Sequence, residues 1–171
     1  IRESLFEGNR TEGRRICGFK GEKPVVLVIG GSQGSEKINN MVRSTLDILL
    51  KDFNICHICG KGNVKPEFNG KQGYKQFEYI NEEQAHIFAM ADIVVSRAGA
   101  TVLFELLALK KPNLLIPLSK AASRGDQILN AESFRKQGYS MVLYEENMNE
   151  DSFIKSVNEL YKERVKYIEA M

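Results

Sequence analysis

Short apolar runs alternate with longer amphipathic segments along most of the chain. The short runs have the length and the β-branched content of strands, and the segments between them carry the apolar spacing of helices. The predicted strands are 25–29, 54–58, 93–96, 113–117 and 140–144, with a weaker candidate at 76–80. The predicted helices are 36–50, 81–90, 101–109, 126–137 and 150–170.

Two of the predicted strands, in VVLVI and DIVVS, are continuous apolar runs instead of alternating between apolar and polar residues. This pattern indicates strands that helices cover on both faces, and crossover helices join such strands in parallel. The sequence therefore predicts an α/β fold with a Rossmann-like parallel sheet between helix layers. Residues 1–22, rich in Gly, Arg and Glu, are expected to form an irregular lead-in segment before a single domain at 23–171.

The strand at 25–29 runs directly into the glycine-rich turn GGSQGS. In parallel sheets, ligands bind at the carboxyl ends of strands, and the N–H groups of Ser32 to Ser35 would favour an anion there. The alternative is that this turn is a tight connection between the strand and the next helix and binds no ligand. A phosphate-binding P-loop is excluded because Ser35 and Glu36, not Lys and Ser, follow the last glycine. A dinucleotide site is disfavoured because Lys61 stands where an acid would hold the ribose.

A second motif, SRAGAT, leads from the strand at 93–96 into an apolar helix that contains Glu105. We expect most of this helix surface to be buried, where a carboxylate requires hydrogen-bond donors. Glu105 lies one turn after Thr101 on the same face. The amides of residues 100–102 would therefore face phosphate oxygens while Glu105 accepts both hydroxyls of a ribose. The alternative is that Glu105 lies at a helix edge or pairs with a lysine.

The third motif, GDQILNA, opens the predicted helix at 126–137. It places Asp126, Gln127 and Asn130 near the first turn, and Gly138 is expected to follow the end of the helix. Carboxylate and amide side chains in combination are suited to hydrogen bonds with the hydroxyl groups of a sugar. The alternative is that Asp126 caps the helix and Asn130 holds a neighbouring loop.

Composition limits the other functions that the chain can have. The 171 residues carry 24 basic and 22 acidic side chains, so no strong field indicates a nucleic acid partner. The segment FNICHIC has the pattern of a strand, and its alternation would send Cys56 and Cys59 to opposite faces, which disfavours a shared metal. His57 and His86 lie outside the motifs and are expected to be packing or surface residues. Because the chain opens on Ile1, we expect a fragment.

In this order, the three motifs resemble the MurG family, transferases that add N-acetylglucosamine to a lipid-linked muramyl-peptide precursor in bacterial wall synthesis. The resemblance covers nearly the whole chain, and Ile1-Arg2 resembles the end of the segment that joins the two halves of that family. It implies the C-terminal, donor-binding half of a two-domain GT-B glycosyltransferase. The other half would bind the acceptor (lipid I, giving lipid II) and supply most catalytic groups, at the cytoplasmic face of the bacterial plasma membrane.

The resemblance also implies contacts with the donor, UDP-N-acetylglucosamine. Glu105 would hold the ribose, the Ile80 backbone would read the uracil edge, and residues 100–102 would border the phosphates. The residues assigned to the donor in this way are Arg2, Ser32, Gln33, Ile80, Ala100, Thr101, Val102, Glu105, Asp126 and Gln127. Two of them depart from the family: Val102 replaces a frequent Thr, and Asp126 replaces the first Gln of a Gln-Gln pair.

No cofactor and no metal are implied, since the sequence has no Asp-x-Asp pair to hold a metal at the diphosphate. Helix N-termini would stabilise the departing diphosphate instead. This chain alone is expected to be inactive, because no general base is evident in it. Two alternatives stay open: the donor half of another GT-B nucleotide-sugar enzyme, such as an epimerase or a glycolipid synthase, or a nucleotide-binding subunit that docks on a membrane partner.

Overall fold

The structure, a computed structural model, describes residues 2–30 and 36–171. The chain divides into two compact units, Ile1–Asp92 and Ile93–Met171. Each unit contains parallel strands with connecting helices, which confirms the predicted α/β class. Among the described residues, no helix combines the length and the apolar character that crossing a membrane requires.

The first unit is built on three parallel strands in the order β3-β2-β1. They are β1 (Val25–Ile29), β2 (Asn54–Ile58) and β3 (Tyr74–Phe77). Its helices are α1 (Arg10–Cys17), α2 (Glu36–Leu49) and α3 (Gln84–Met90). The first four residues of both β1 and β2 are buried, which for β1 agrees with its continuous apolar run. Helix α2 buries one stripe that includes Ile38, Val42, Leu46 and Leu49.

The expectation that residues 1–22 are irregular is wrong. A 3₁₀ helix at Glu3–Glu7 precedes α1. Helix α1 begins after Asn9 and ends before Gly18, whose backbone is left-handed. The Asn9 side chain accepts a hydrogen bond from the Glu12 N–H at 2.9 Å. Helix α1 packs on α3 so closely that a Cβ atom at Gly13 would lie 2.3 Å from the His86 carbonyl oxygen. The helix forms because of this packing, which the sequence pattern of eight residues does not reveal.

The second unit contains three further parallel strands in the order β4-β5-β6. They are β4 (Ile93–Ser96), β5 (Asn113–Leu115) and β6 (Ser140–Val142). Its helices are α4 (Ala100–Ala108), α5 (Lys120–Ser123), α6 (Asp126–Lys136), α7 (Glu150–Lys162) and α8 (Arg164–Ala170). A core of Ala98, Leu103, Leu115, Ala131 and Phe134 joins α4, α6 and the strands.

Several predicted boundaries differ from the observed ones. Strand β3 begins two residues before the predicted candidate, and β5 and β6 are each two residues shorter than predicted. The single helix predicted at 150–170 is two helices that meet at Glu163, where the backbone leaves helical geometry (φ −99°, ψ 14°). Neither glycine nor proline marks this break, so the apolar pattern runs through it.

Candidate functional site

The N-terminus of α4 offers a set of backbone donors in the second unit. Strand β4 ends at Ser96, and α4 begins after Gly99, whose extended backbone occupies the N-cap position. Ala100 and Thr101 are exposed at this end of the helix. The N–H groups of a first turn have no acceptor within their own helix, and they carry the positive end of the helix dipole. This end of the helix is therefore suited to an anion, and the phosphate contact there stays a prediction.

Glu105 lies one turn further along α4 and is half-buried. The expectation that most of the α4 surface is buried is wrong, because α4 buries only Leu103 and Leu106 and leaves Phe104 55% exposed. Glu105 thus lies at the edge of the buried face, on the same side as the exposed Thr101. This position agrees with the alternative that Glu105 lies at a helix edge, and the ribose contact stays a prediction.

Helix α6 supports the turn between β4 and α4 through two side chains. Gln127 Oε1 accepts hydrogen bonds from the Ala98 N–H at 3.2 Å and from the Leu118 N–H at 3.0 Å. Asn130 Nδ2 donates to the Ala98 carbonyl oxygen at 3.0 Å, so the alternative that Asn130 holds a neighbouring loop is confirmed. Since its oxygen already has two donors, Gln127 would offer a sugar its Nε2 amide group.

Asp126 is the first residue of α6 and is exposed. The alternative that Asp126 caps this helix is wrong, because Gly125 is the N-cap residue, with a left-handed backbone at φ 88°. Gly138 lies just beyond α6 with φ 80°, as predicted for a glycine that follows a helix end. The Asp126 carboxylate is therefore free of a capping role, and its contact with a sugar stays a prediction.

In the first unit, Arg2 lies in an open pocket of about 590 Å³. The pocket is lined by Arg2, Ser4, Leu5, Glu7, Asn81, Glu82, Gln84, Ala85 and His86. Arg2 Nη2 donates to Gln84 Oε1 at 2.9 Å. Ile80 is half-buried in the segment between β3 and α3, directly before the pocket residue Asn81. The structure therefore brings Arg2 close to the segment that carries Ile80. Ser32 and Gln33, the other predicted contacts, lie outside the described residues.

A buried polar network in the first unit was missed by the sequence analysis. His57 is fully buried between Tyr74, whose hydroxyl lies 2.7 Å from Nδ1, and Asn39, whose Oδ1 lies 2.7 Å from Nε2. Asn39 Nδ2 donates to the Cys59 carbonyl oxygen at 2.9 Å. Burial, followed by the nearby Arg43 charge, lowers the pKa of His57 to about 3. The expectation that His57 is a packing residue is confirmed, and Asn39 on the apolar stripe of α2 was the available signal.

The cysteines have separate neighbours. Cys56 Sγ lies 3.8 Å from Cys17 Sγ, whereas Cys59 Sγ accepts from Arg43 Nη2 at 3.3 Å. The two cysteines of the CHIC segment therefore do not face a common point, as the strand pattern predicted.

A buried ion pair in the second unit was also missed. Arg97 Nη2 lies 2.9 Å from Glu145 Oε2, and the two side chains are 6% and 9% exposed. An arginine directly after a buried strand was the only signal in the sequence, because its partner is 48 residues away.

Comparison with known proteins identifies related sequences over the whole chain. The glycosyltransferase family 28 C-terminal domain matches residues 25–171. The UDP-N-acetylglucosamine--N-acetylmuramyl-(pentapeptide) pyrophosphoryl-undecaprenol N-acetylglucosamine transferase of Clostridium tetani is 58% identical over 171 residues, which are 100% of this chain and 48% of that protein. The Geobacillus kaustophilus protein of the same name is 57% identical over 98% of this chain and 47% of its own length. This chain therefore spans about half the length of these curated relatives.

A crystal structure of Acinetobacter baumannii MurG superimposes with a TM-score of 0.72. The match has 22% sequence identity and covers 94% of this chain and 46% of that one. Likeness at this level of identity shows a shared fold, and it agrees with the GT-B fold class that the sequence predicted.

Proposed function

Because this chain belongs to the glycosyltransferase family 28 C-terminal domain, we propose that it is the donor-binding half of an N-acetylglucosamine transferase in peptidoglycan synthesis. The observation that carries the proposal is the 58% identity, over the full chain, to a transferase that is named for this reaction. The donor would be UDP-N-acetylglucosamine, and the acceptor a lipid-linked muramyl peptide. The part of the longer protein outside this chain would bind the acceptor and supply most catalytic groups.

The reaction would be a single displacement at the anomeric carbon of the donor. The acceptor hydroxyl oxygen forms the new bond from the side opposite UDP and gives its proton to a base outside this chain, while the bond to the diphosphate breaks and UDP leaves with the electron pair, so the configuration inverts. Negative charge grows on the diphosphate in the transition state. Backbone donors that are already oriented before the reaction stabilise such charge without reorganising. The exposed N-terminus of α4, at residues 100–102, is suited to this role.

The other predicted contacts keep their roles within this proposal. In the second unit, Glu105 would accept the ribose hydroxyls, and Asp126 and the Gln127 amide would contact the sugar. In the first unit, the Ile80 backbone would read the uracil edge and Arg2 would approach the nucleotide. Support for the contact at Arg2 comes from its pocket beside Asn81 and Gln84. We also propose that the longer protein associates peripherally with the cytoplasmic membrane face, where its lipid-linked acceptor would be found.

Calorimetry of this chain with UDP-N-acetylglucosamine, UDP and an adenine dinucleotide tests the donor assignment. We expect the uridine nucleotides to bind and the adenine dinucleotide not to bind. Glu105→Gln should weaken UDP binding by roughly 10- to 100-fold, because hydrogen bonds to a charged acceptor contribute about 1.5–3 kcal/mol. Glu159→Gln, which changes an exposed carboxylate on α7, is the matched control and should bind like the wild type. Equal affinity of wild type and Glu105→Gln for UDP would remove Glu105 from the site.

A further inference from the structure

The turn between β4 and α4, residues 97–99, is largely buried although it has no regular secondary structure. Arg97 is 5% exposed and Ala98 is fully buried. Buried backbone N–H and C=O groups require hydrogen-bond partners. For Ala98, side chains of α6 supply both of them: Gln127 accepts from its N–H, and Asn130 donates to its carbonyl oxygen. The turn is therefore held by side chains that come from distant parts of the second unit.

The Arg97 side chain adds contacts to two other segments. Its Nη1 donates to the Ile116 carbonyl oxygen at 3.1 Å and lies 3.5 Å from the Pro117 carbonyl oxygen, just beyond β5. Its Nη2 donates to Glu145 Oε2 at 2.9 Å, in the 3₁₀ helix Glu145–Asn147 that follows β6. One guanidinium thus ties together the segments that follow β4, β5 and β6. The planar fork of arginine is suited to several acceptors at fixed angles, whereas lysine offers a single point charge.

Stability alone does not account well for a buried ion pair. Removing two charges from water costs about as much free energy as their attraction returns, and well-packed apolar residues often replace such pairs without loss. A network of directed hydrogen bonds does fix geometry. Here the network fixes the residues directly before Ala100, where α4 begins, so it determines where the N–H groups of the first turn of α4 point.

We propose that Arg97 and Glu145 are positioning residues for the diphosphate of the bound nucleotide. The inference rests on the proposed function, because that function places the diphosphate at residues 100–102. Both side chains are buried, with 6% and 9% exposed, so the proposed role is one of support and needs no direct contact with the donor. Their effect passes through the backbone of residues 97–99 to the amides of α4.

The test compares the affinities for UDP and for uridine, measured by NMR titration of this chain. Glu145→Gln keeps the shape of the side chain and removes its charge. We expect the affinity for UDP to fall by about tenfold, the lower end of what a hydrogen bond to a charged group contributes. The affinity for uridine, which has no phosphate, should not change. Glu146→Gln alters the neighbouring exposed carboxylate and should leave both affinities at the wild-type values.

A double variant, Arg97→Met with Glu145→Met, removes both charges and leaves neither unpaired. It should keep a melting temperature near that of the wild type and still show the lowered ratio of UDP to uridine affinity. A wild-type ratio in either folded variant, or an equal loss for both ligands, overturns the proposal. If neither variant folds, the pair is an element of stability and the proposal is likewise overturned. Failure of the proposed function differs from all these outcomes, because the wild-type chain itself would then show no preference for UDP over uridine.

Discussion

At the scale of single residues, the buried His57 has a defined hydrogen-bonding pattern. Asn39 Nδ2 donates to the Cys59 carbonyl oxygen, so its Oδ1 is the atom that faces His57 Nε2. Nε2 must therefore carry a proton, because an amide oxygen only accepts. Nδ1 is then the acceptor for the Tyr74 hydroxyl. Neutral His57 satisfies every group in this chain of hydrogen bonds, and a second proton would disrupt it.

This pattern predicts that the chain loses stability in mild acid. The pKa of folded His57 is about 3, below the ordinary 6.5, so the unfolded state binds more protons between these values. The stabilising contribution of neutral His57 is complete above pH 6.5 and is lost as the pH falls toward 3. The free energy of unfolding, measured with urea from pH 7 to pH 4.5, should therefore fall by up to about 1.4 kcal/mol per pH unit from this residue.

Two histidine variants isolate this contribution from that of the carboxylates. His57→Gln should lower stability at pH 7 and flatten its decline toward pH 4.5. His86→Gln, which alters a half-buried histidine that accepts from the Asn9 N–H, should keep the wild-type slope. Equal slopes in His57→Gln and the wild type would show that His57 titrates normally in the folded chain.

The sequence predicted single residues well where chemistry lies in a local motif. The turn before α4, Glu105 one turn into that helix and the start of α6 at Asp126 all lie where the motifs placed them. It did not predict the partners of buried polar side chains. The Arg97–Glu145 pair joins residues 48 positions apart, and pairing at that distance follows from the fold and leaves no periodic signal.

At the scale of elements, the predicted strands agree best with the structure where burial is complete. Strands β1, β2 and β4 have the predicted bounds, and the first four residues of each are buried. Helix α1 was missed because Gly13 in its middle has low helix propensity and a short helix depends on packing. The same glycine lets α1 approach the backbone of α3.

A substitution at Gly13 tests this account of the packing of α1 on α3. In an open helix, Gly→Ala stabilises by up to about 1 kcal/mol, but here the new Cβ would lie 2.3 Å from the His86 carbonyl oxygen and 2.8 Å from the Met90 Cβ. We expect Gly13→Ala to destabilise the chain by about 1–3 kcal/mol, measured by urea unfolding. Thr11→Ala on the exposed side of α1 should change stability by less than about 0.5 kcal/mol. A stabilised Gly13→Ala variant would show that α1 does not pack this closely.

At the scale of the whole molecule, the chain spans 48% of the length of its Clostridium tetani relative. In the proposed function, two of the chain's motifs contact the donor: SRAGAT and the helix after it would supply a helix N-terminus for the phosphates and Glu105 for the ribose, and GDQILNA would supply acid and amide groups for the sugar. The two histidines, the commonest general bases, have other roles: His57 is buried in a hydrogen-bond network, and His86 accepts from the Asn9 N–H. In the proposed function, donor binding by this chain should therefore be separable from group transfer by the longer protein.

We expect this chain to bind UDP-N-acetylglucosamine without transferring the sugar. Radiolabelled donor incubated with the chain and a lipid-linked muramyl-peptide acceptor should give no labelled lipid, because acceptor binding and most catalytic groups are proposed to lie in the rest of the longer protein. The longer protein should give labelled lipid under the same conditions. Glu105→Gln in that protein should raise KM for the donor by roughly 10- to 100-fold, in line with the lost hydrogen bonds to a charged acceptor. Labelled lipid formed by the chain alone would contradict the division of labour and place a catalytic base within these 171 residues.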